Sequence, residues 1–170
     1  MFGSIISKYL GVGMKKLLLA SAFALLTSHA IASNWAVMDV SSDGLTAFLV
    51  NKDNYTSESG QADMWVAMVN IDKTQPDDVT IAYMTADCKS KIYMFSDITS
   101  YLKGKTISKQ KSDKKPRKAM NGGIDWMMID AVCRKDLDDN PVLSFENPKD
   151  MASSVQEILR ELQKRRSTPF

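Results

Sequence analysis

The sequence predicts an α+β fold, in which a small antiparallel β-sheet is covered by a C-terminal amphipathic helix and by a short helix pinned by a disulfide. Three observations support this prediction. Short apolar runs in the first half are separated by turn residues, the last segment repeats apolar residues with a helical period, and the chain contains two cysteines.

The N-terminal region has the layout of a cleavable export signal over residues 14–32. Lys15 and Lys16 form its charged start, Leu17–Leu26 is apolar, and Ala30-Ile31-Ala32 matches the small-x-small pattern that signal peptidase accepts. The apolar run is much shorter than the roughly 20 residues that span a bilayer. We therefore expect cleavage and no transmembrane segment in the mature chain.

Residues 1–13 add nothing that an export signal needs, so we interpret them as an upstream extension of the gene and place the true start at Met14. Cleavage would leave Ser33 as the first residue of a single domain over residues 33–170. Residues 1–32, which we call the leader, carry three lysines (Lys8, Lys15 and Lys16) and no acidic residue, so their removal changes the net charge from +2 to about −1. The mature protein is thus expected to be nearly neutral.

The only histidine, His29, lies in the leader. Its loss excludes Ser-His-Asp and Cys-His catalysis and histidine metal ligands from the mature chain. The chain also lacks a nucleophile elbow, a phosphate loop and a dinucleotide fingerprint. We therefore predict a protein that is not an enzyme, with no cofactor and no metal site.

The first half predicts four or five antiparallel strands. A polar stretch over residues 51–61 separates the second strand from the third, and a hairpin turn is expected at residues 87–90. The predicted strands are Trp35–Val40, Leu45–Val50, Met64–Val69, Val79–Ala86 and Lys91–Phe95. Their short connections favour a meandering sheet.

Cys88 and Cys133 are the only cysteines, and an even number of cysteines in an exported protein predicts one disulfide. A redox-active pair is the alternative, but it would require a Cys-x-x-Cys spacing that the chain lacks. The disulfide is therefore expected to be structural.

A basic segment follows residue 101, and it contains one acidic residue, Asp113, and little that is apolar except Ile107. Two interpretations are open: a solvated strand-loop that keeps a sheet edge soluble, or a loop that binds polyanions. We do not expect nucleic acid as the target of an exported protein. The cations that form this candidate binding loop are Lys103, Lys105, Lys109, Lys111, Lys114, Lys115, Arg117 and Lys118.

Two helices are expected after this segment. The first is a short helix over Ile124–Cys133, with a strand as the alternative over so few residues. The second spans residues 148–165, with Asn147 as its N-cap and Pro148 at its first position. Its predicted core-facing stripe consists of Met151, Val155, Ile158, Leu159 and Leu162.

The order of these features resembles the surface-adhesin protein E family over about residues 35–134. The matching features are the Trp35 strand, the strand Met64-Trp65-Val66-Ala67-Met68, the run Val79–Asp87 that ends in Cys88, the lysine-rich loop, and Ile124–Cys133. The resemblance implies a small antiparallel sheet with helical cover, and Cys88 and Cys133 match the disulfide of that fold. It also implies a role in binding host extracellular proteins.

The chain departs from that family at the cleavage point, where Ala32-Ser33 replaces the cysteine that would carry a lipid. We therefore expect a periplasmic or secreted protein without a lipid anchor, which binds a protein or an acidic polymer. The alternative is a periplasmic structural or stress-related accessory protein that packs on another bacterial protein. An exposed strand also leaves a homodimer through the sheet edge open.

Overall fold

The computed structural model describes residues 32–71, 75, 77–112 and 115–167, with side chains as far as residue 165. The predicted export signal and the upstream extension lie outside these residues, except for Ala32. Eight strands form one sheet in the order β6-β5-β4-β3-β2-β1-β8, with β7 also paired to β5, and every pairing is antiparallel. The α+β class predicted from the sequence is confirmed.

The strands are β1 Ser33–Val40, β2 Thr46–Glu58, β3 Gln61–Asn70, β4 Val79–Asp87, β5 Ile92–Leu102, β6 Lys105–Ser112, β7 Arg117–Lys118 and β8 Val142–Phe145. The helices are α1 Ile124–Arg134 and α2 Pro148–Ser167. The four or five strands predicted in the first half are present as the meander β1–β5, but strands β6, β7 and β8 were not predicted. The polar stretch predicted over residues 51–61 is strand as far as Glu58, and it turns at Ser59 and Gly60.

The two helices pack on opposite faces of the sheet. Successive side chains of a strand point to opposite faces, and on β3 Met64 and Val66 pack with Ile129 of α1, whereas Val69 packs with Val155 of α2. We call these two faces the α1 face and the α2 face. The core therefore has two layers, separated by the sheet.

The start of α2 agrees with the sequence, because the Oδ1 atom of Asn147 accepts a hydrogen bond from the backbone N–H of Asp150 at 2.9 Å. The predicted core stripe is only partly correct. Its first, second and fourth members are buried, but Ile158 is 42% exposed and Leu162 is 39% exposed. A helix turns about 100° per residue, which places Ile158 at the margin of the buried side. Leu162 lies one helical turn after Ile158.

Candidate functional site

Five of the cations predicted from the sequence lie on two strands rather than in a loop, with Lys105, Lys109 and Lys111 on β6 and Arg117 and Lys118 on β7. Residues 105–112 form β6, which is an outer strand of the sheet, and every side chain from Lys105 to Lys111 is exposed. A strand at the edge buries little on either side, so lysines lie there without a desolvation cost. We call the following set the basic edge: Lys103, Lys105, Lys109, Lys111, Lys115, Arg117 and Lys118. Lys114 lies outside the described residues.

The backbone of β5 aligns the two parts of the basic edge. Its outer side pairs with β6 over residues 96–102 and with β7 at residues 92–93. Alternation along β6 places Lys109 and Lys111 on one side of the strand, about 7 Å apart along it. Within the part of the chain that the structure describes, no ion pair involves a lysine of β6 or Lys118. The charge of this strand is therefore available to a partner.

A second feature, which the sequence did not reveal, is a groove on the α1 face. It has a volume of about 340 Å³ and lies over the central strands, between α1 and the end of the sheet that α1 does not reach. Apolar side chains form most of its wall, and they include Phe48, Met68, Ala82, Ile98 and Met128. We call this feature the sheet groove.

One end of the sheet groove is polar. The hydroxyl of Tyr93 donates a hydrogen bond to Oδ2 of Asp125 at 2.5 Å, and Arg117 lines the same end with its guanidinium 5.4 Å from the ring centre of Phe95. Burial, and then the bond to Asp125, raise the pKa of Tyr93 to about 12. The phenol is therefore protonated at neutral pH, and its hydroxyl can donate the hydrogen bond to Asp125.

The disulfide and a half-buried ion pair hold α1 in the position that forms this groove. Cys88, which follows β4, is bonded to Cys133 near the end of α1, so the predicted disulfide is confirmed. Beside it, Nζ of Lys91 lies 2.9 Å from Oδ1 of Asp130 and 5.3 Å from the ring centre of Trp126. Both contacts tie the β4–β5 turn to α1.

Three carboxylates near α1 and the β4–β5 turn each have a different partner. Asp125 bonds to Tyr93, Asp130 pairs with Lys91, and Asp87 accepts the backbone N–H of Ser90 at 2.5 Å. Hydrogen bonds from Ser90 hold the pKa of Asp87 below its usual value. No group of three or more acidic or cysteine side chains among the described residues could hold a metal ion.

Comparisons with family models, with curated proteins and with solved structures found no match to this chain. The resemblance to the surface-adhesin protein E family therefore stays a prediction. Neither of the two described helices has the length and apolar character needed to cross a membrane.

Proposed function

We propose that this protein is an exported, non-enzymatic binding protein whose basic edge holds an acidic macromolecule, either a polymer or a host extracellular protein of the kind bound by the surface-adhesin protein E family. The observation that carries the proposal is the row of exposed lysines on β6, a strand without an acidic residue. Aligned charges of one sign raise the local concentration of a partner of opposite sign.

The basic edge also argues against self-association through the same strand. Two copies that paired along β6 would place their lysines opposite one another, and like charges in that position are destabilising. A partner with carboxylate or sulfate groups would instead neutralise the row. The charge of the edge thus favours an acidic partner over a homodimer through β6.

The test replaces Lys105, Lys109, Lys111 and Lys118 with Gln and measures affinity for heparin and for polyglutamate at several salt concentrations. Exposed ion pairs contribute up to about 1 kcal/mol each, so we expect binding to weaken at least about tenfold. The salt dependence should also become shallower, because fewer charges are neutralised in the complex.

A matched control removes four exposed cations outside the basic edge, and these are Lys89, Lys135, Arg160 and Arg165. The control has the same net charge as the test variant but keeps the row on β6. Equal losses in the two variants would mean that only net charge matters. Unchanged affinity in the test variant would contradict a role for the basic edge.

The proposed compartment can be tested independently of the ligand. The disulfide between Cys88 and Cys133 supports an oxidising compartment, because such bonds rarely persist in the cytosol. Fractionation of cells that express a C-terminally tagged chain should place the protein in the periplasm or the medium, with no lipid attached. Recovery in the cytosol in reduced form would contradict export.

A second candidate function, an accessory protein that packs on another bacterial protein, is favoured by the partly exposed apolar margin of α2. Ile158 and Leu162 are 42% and 39% exposed and border a shallow depression together with Arg165. Clustered exposed apolar side chains are typical of protein contacts. Changing Ile158 and Leu162 to Ser should abolish pairing with a periplasmic partner in crosslinking experiments, and the Gln variant of the basic edge should keep it.

A further inference from the structure

The sheet groove has the length and the volume of a site for one narrow molecule. Its walls come from β2, β3, β4, β5, β7 and α1, so it extends across the strands rather than along one of them. Three strand spacings separate β2 from β5, which is a distance of about 14 Å. The volume of about 340 Å³ has room for roughly eleven groups the size of a water molecule. Length and volume together fit one chain of about ten carbon atoms.

The wall of the groove is apolar over most of its length. Ala82 on β4 is 6% exposed and pairs with Val66 on β3, so short side chains form the floor. Longer side chains border this floor, among them Met68, which is 36% exposed, and Met128 of α1. An occupant would replace water over this surface, which is favourable in proportion to the apolar area covered.

The polar side chains that line the groove already have partners within the protein. Tyr93 donates a hydrogen bond to Asp125 at 2.5 Å, and Thr80 donates one to Asp77. Arg117 contacts the same phenol, since burial and Asp125 raise the pKa of Tyr93 whereas a hydrogen bond and the charge of Arg117 lower it. A ligand head group would therefore gain little by competing for these groups.

The charges at the polar end balance each other. Arg117 and Asp125 carry opposite charges and line the same end, whereas Lys118 points to the other face of the sheet. A charged head group of either sign would lose water there and would also meet one like charge. An uncharged head group meets neither cost.

We propose that the sheet groove binds a small uncharged molecule with a single alkyl chain and at most a hydroxyl as its polar group. The chain covers the apolar wall, and the hydroxyl stays at the border with water. The site uses none of the lysines of β6, so it does not depend on the function proposed above.

The experiment titrates the purified oxidised protein with octanol, octanoate and octylammonium by calorimetry. The three probes share one chain and differ in the charge of the head group. We expect octanol to bind with a Kd below about 1 mM and at least about fivefold more tightly than either ion. An octanol Kd above that limit, or an ion that binds within fivefold of octanol, would overturn the proposal.

A series of alcohols tests whether the chain lies on the apolar wall. From hexanol to octanol, each added methylene should tighten binding about fourfold, because it removes further apolar surface from water. Equal affinities along the series would mean that the chain stays in solvent, and this result would refute the site.

Methionine methyl groups report where the probe binds. Met68 and Met128 line the groove, whereas Met94 lies on the opposite face of the sheet and is 43% exposed. In ¹³C-methyl NMR, octanol should shift the resonances of Met68 and Met128 and leave that of Met94 in place. A shift at Met94 alone would place the probe outside the groove.

The same methionines provide matched variants, because Met68 and Met94 are similarly exposed and lie on opposite faces. Met68→Gln should weaken octanol at least about fourfold, which corresponds to the loss of about one methylene of apolar contact. Met94→Gln should leave its affinity within about twofold. Equal effects of the two substitutions would refute binding in the groove.

Two further variants test the balance of charge at the polar end. Arg117→Gln leaves Asp125 without the opposite charge, so octylammonium should bind at least about threefold more tightly than it does to the natural chain. Asp125→Asn should favour octanoate by a similar factor, for the converse reason. Octanol should stay within about twofold in both variants. If neither ion gained affinity, the charge balance would not be what excludes ions, and the proposal would be overturned.

Discussion

Replacing Asp130 with Asn tests whether the half-buried ion pair holds α1 against the β4–β5 turn. The side chains of Lys91 and Asp130 are 14% and 19% exposed, so Lys91 would keep a charge that has lost its counter-ion. Breaking a fully buried pair costs about 3–5 kcal/mol, and an exposed pair contributes about 0–1 kcal/mol. Lys91 would still lie over the ring of Trp126 at 5.3 Å. We therefore expect Asp130→Asn to lower the free energy of unfolding by about 2 kcal/mol.

The assay is urea unfolding followed by tryptophan fluorescence, with thermal unfolding as a second measurement. For a domain of this size, a loss of about 2 kcal/mol corresponds to a Tm lower by roughly 8 °C. Arg134→Gln is the matched control, because Arg134 contacts the other oxygen of Asp130 at 2.9 Å but is 65% exposed. Its loss should cost less than about 0.5 kcal/mol.

A double substitution distinguishes the effect of an unpaired charge from the effect of lost side-chain packing. Lys91→Met with Asp130→Leu removes both charges and keeps apolar volume, so its stability should return to within about 1 kcal/mol of the natural chain. The reasoning would be refuted if Asp130→Asn cost less than about 0.5 kcal/mol, or if Arg134→Gln cost as much as Asp130→Asn.

Three other predictions concern the disulfide, Tyr93 and the turn glycines. Replacing both cysteines with Ser removes a link across 45 residues and should cost about 4 kcal/mol in urea unfolding; a cost under about 1 kcal/mol would contradict it. Tyr93→Phe should remove the absorbance titration step near pH 12, since the folded pKa of about 12 lies above the unfolded value of about 10. The stability gained from protonated Tyr93 is complete below about pH 10 and is lost towards pH 12, so the variant should not show that loss. Gly104→Ala should lower the Tm more than Gly60→Ala: both glycines have positive φ, but only at Gly104 would a new Cβ lie 2.6 Å from Cβ of Lys149.

The sequence predicted those elements that bury an apolar face. The strand at Met64–Val69 and the helix at Ile124–Cys133 have apolar residues at the spacing of their structure, and both are present. Strand β6 was missed as a strand because it is exposed on both faces and therefore carries no apolar period. Its hydrogen bonds to β5 come from the backbone, which has no signature in the side chains.

The sheet groove was not predictable from local patterns, because its walls come from distant parts of the chain. Phe48, Met68, Ile98 and Arg117 lie on four different strands, and Asp125 comes from α1. The local sequence around each of them does not indicate a groove. Asp125, for example, is an acidic residue in the first turn of a helix, which is common. Only the register of the sheet and the position of α1 bring them together.

The existence of the groove follows from the mismatch between a wide sheet and a short helix. Seven strands across, spaced by about 4.8 Å, give a sheet roughly 30 Å wide, whereas the 11 residues of α1 form a rod of about 16 Å. Because α1 is anchored at the β4–β5 turn by Cys133 and Asp130, it lies over one end of its face. The other helix, α2, packs on the opposite face and cannot close the gap. The apolar side chains beyond α1, such as Met68, therefore line an open groove, and Asp125 of α1 lies at its border. A longer α1 would cover more of this face, so its shortness is what leaves the groove open.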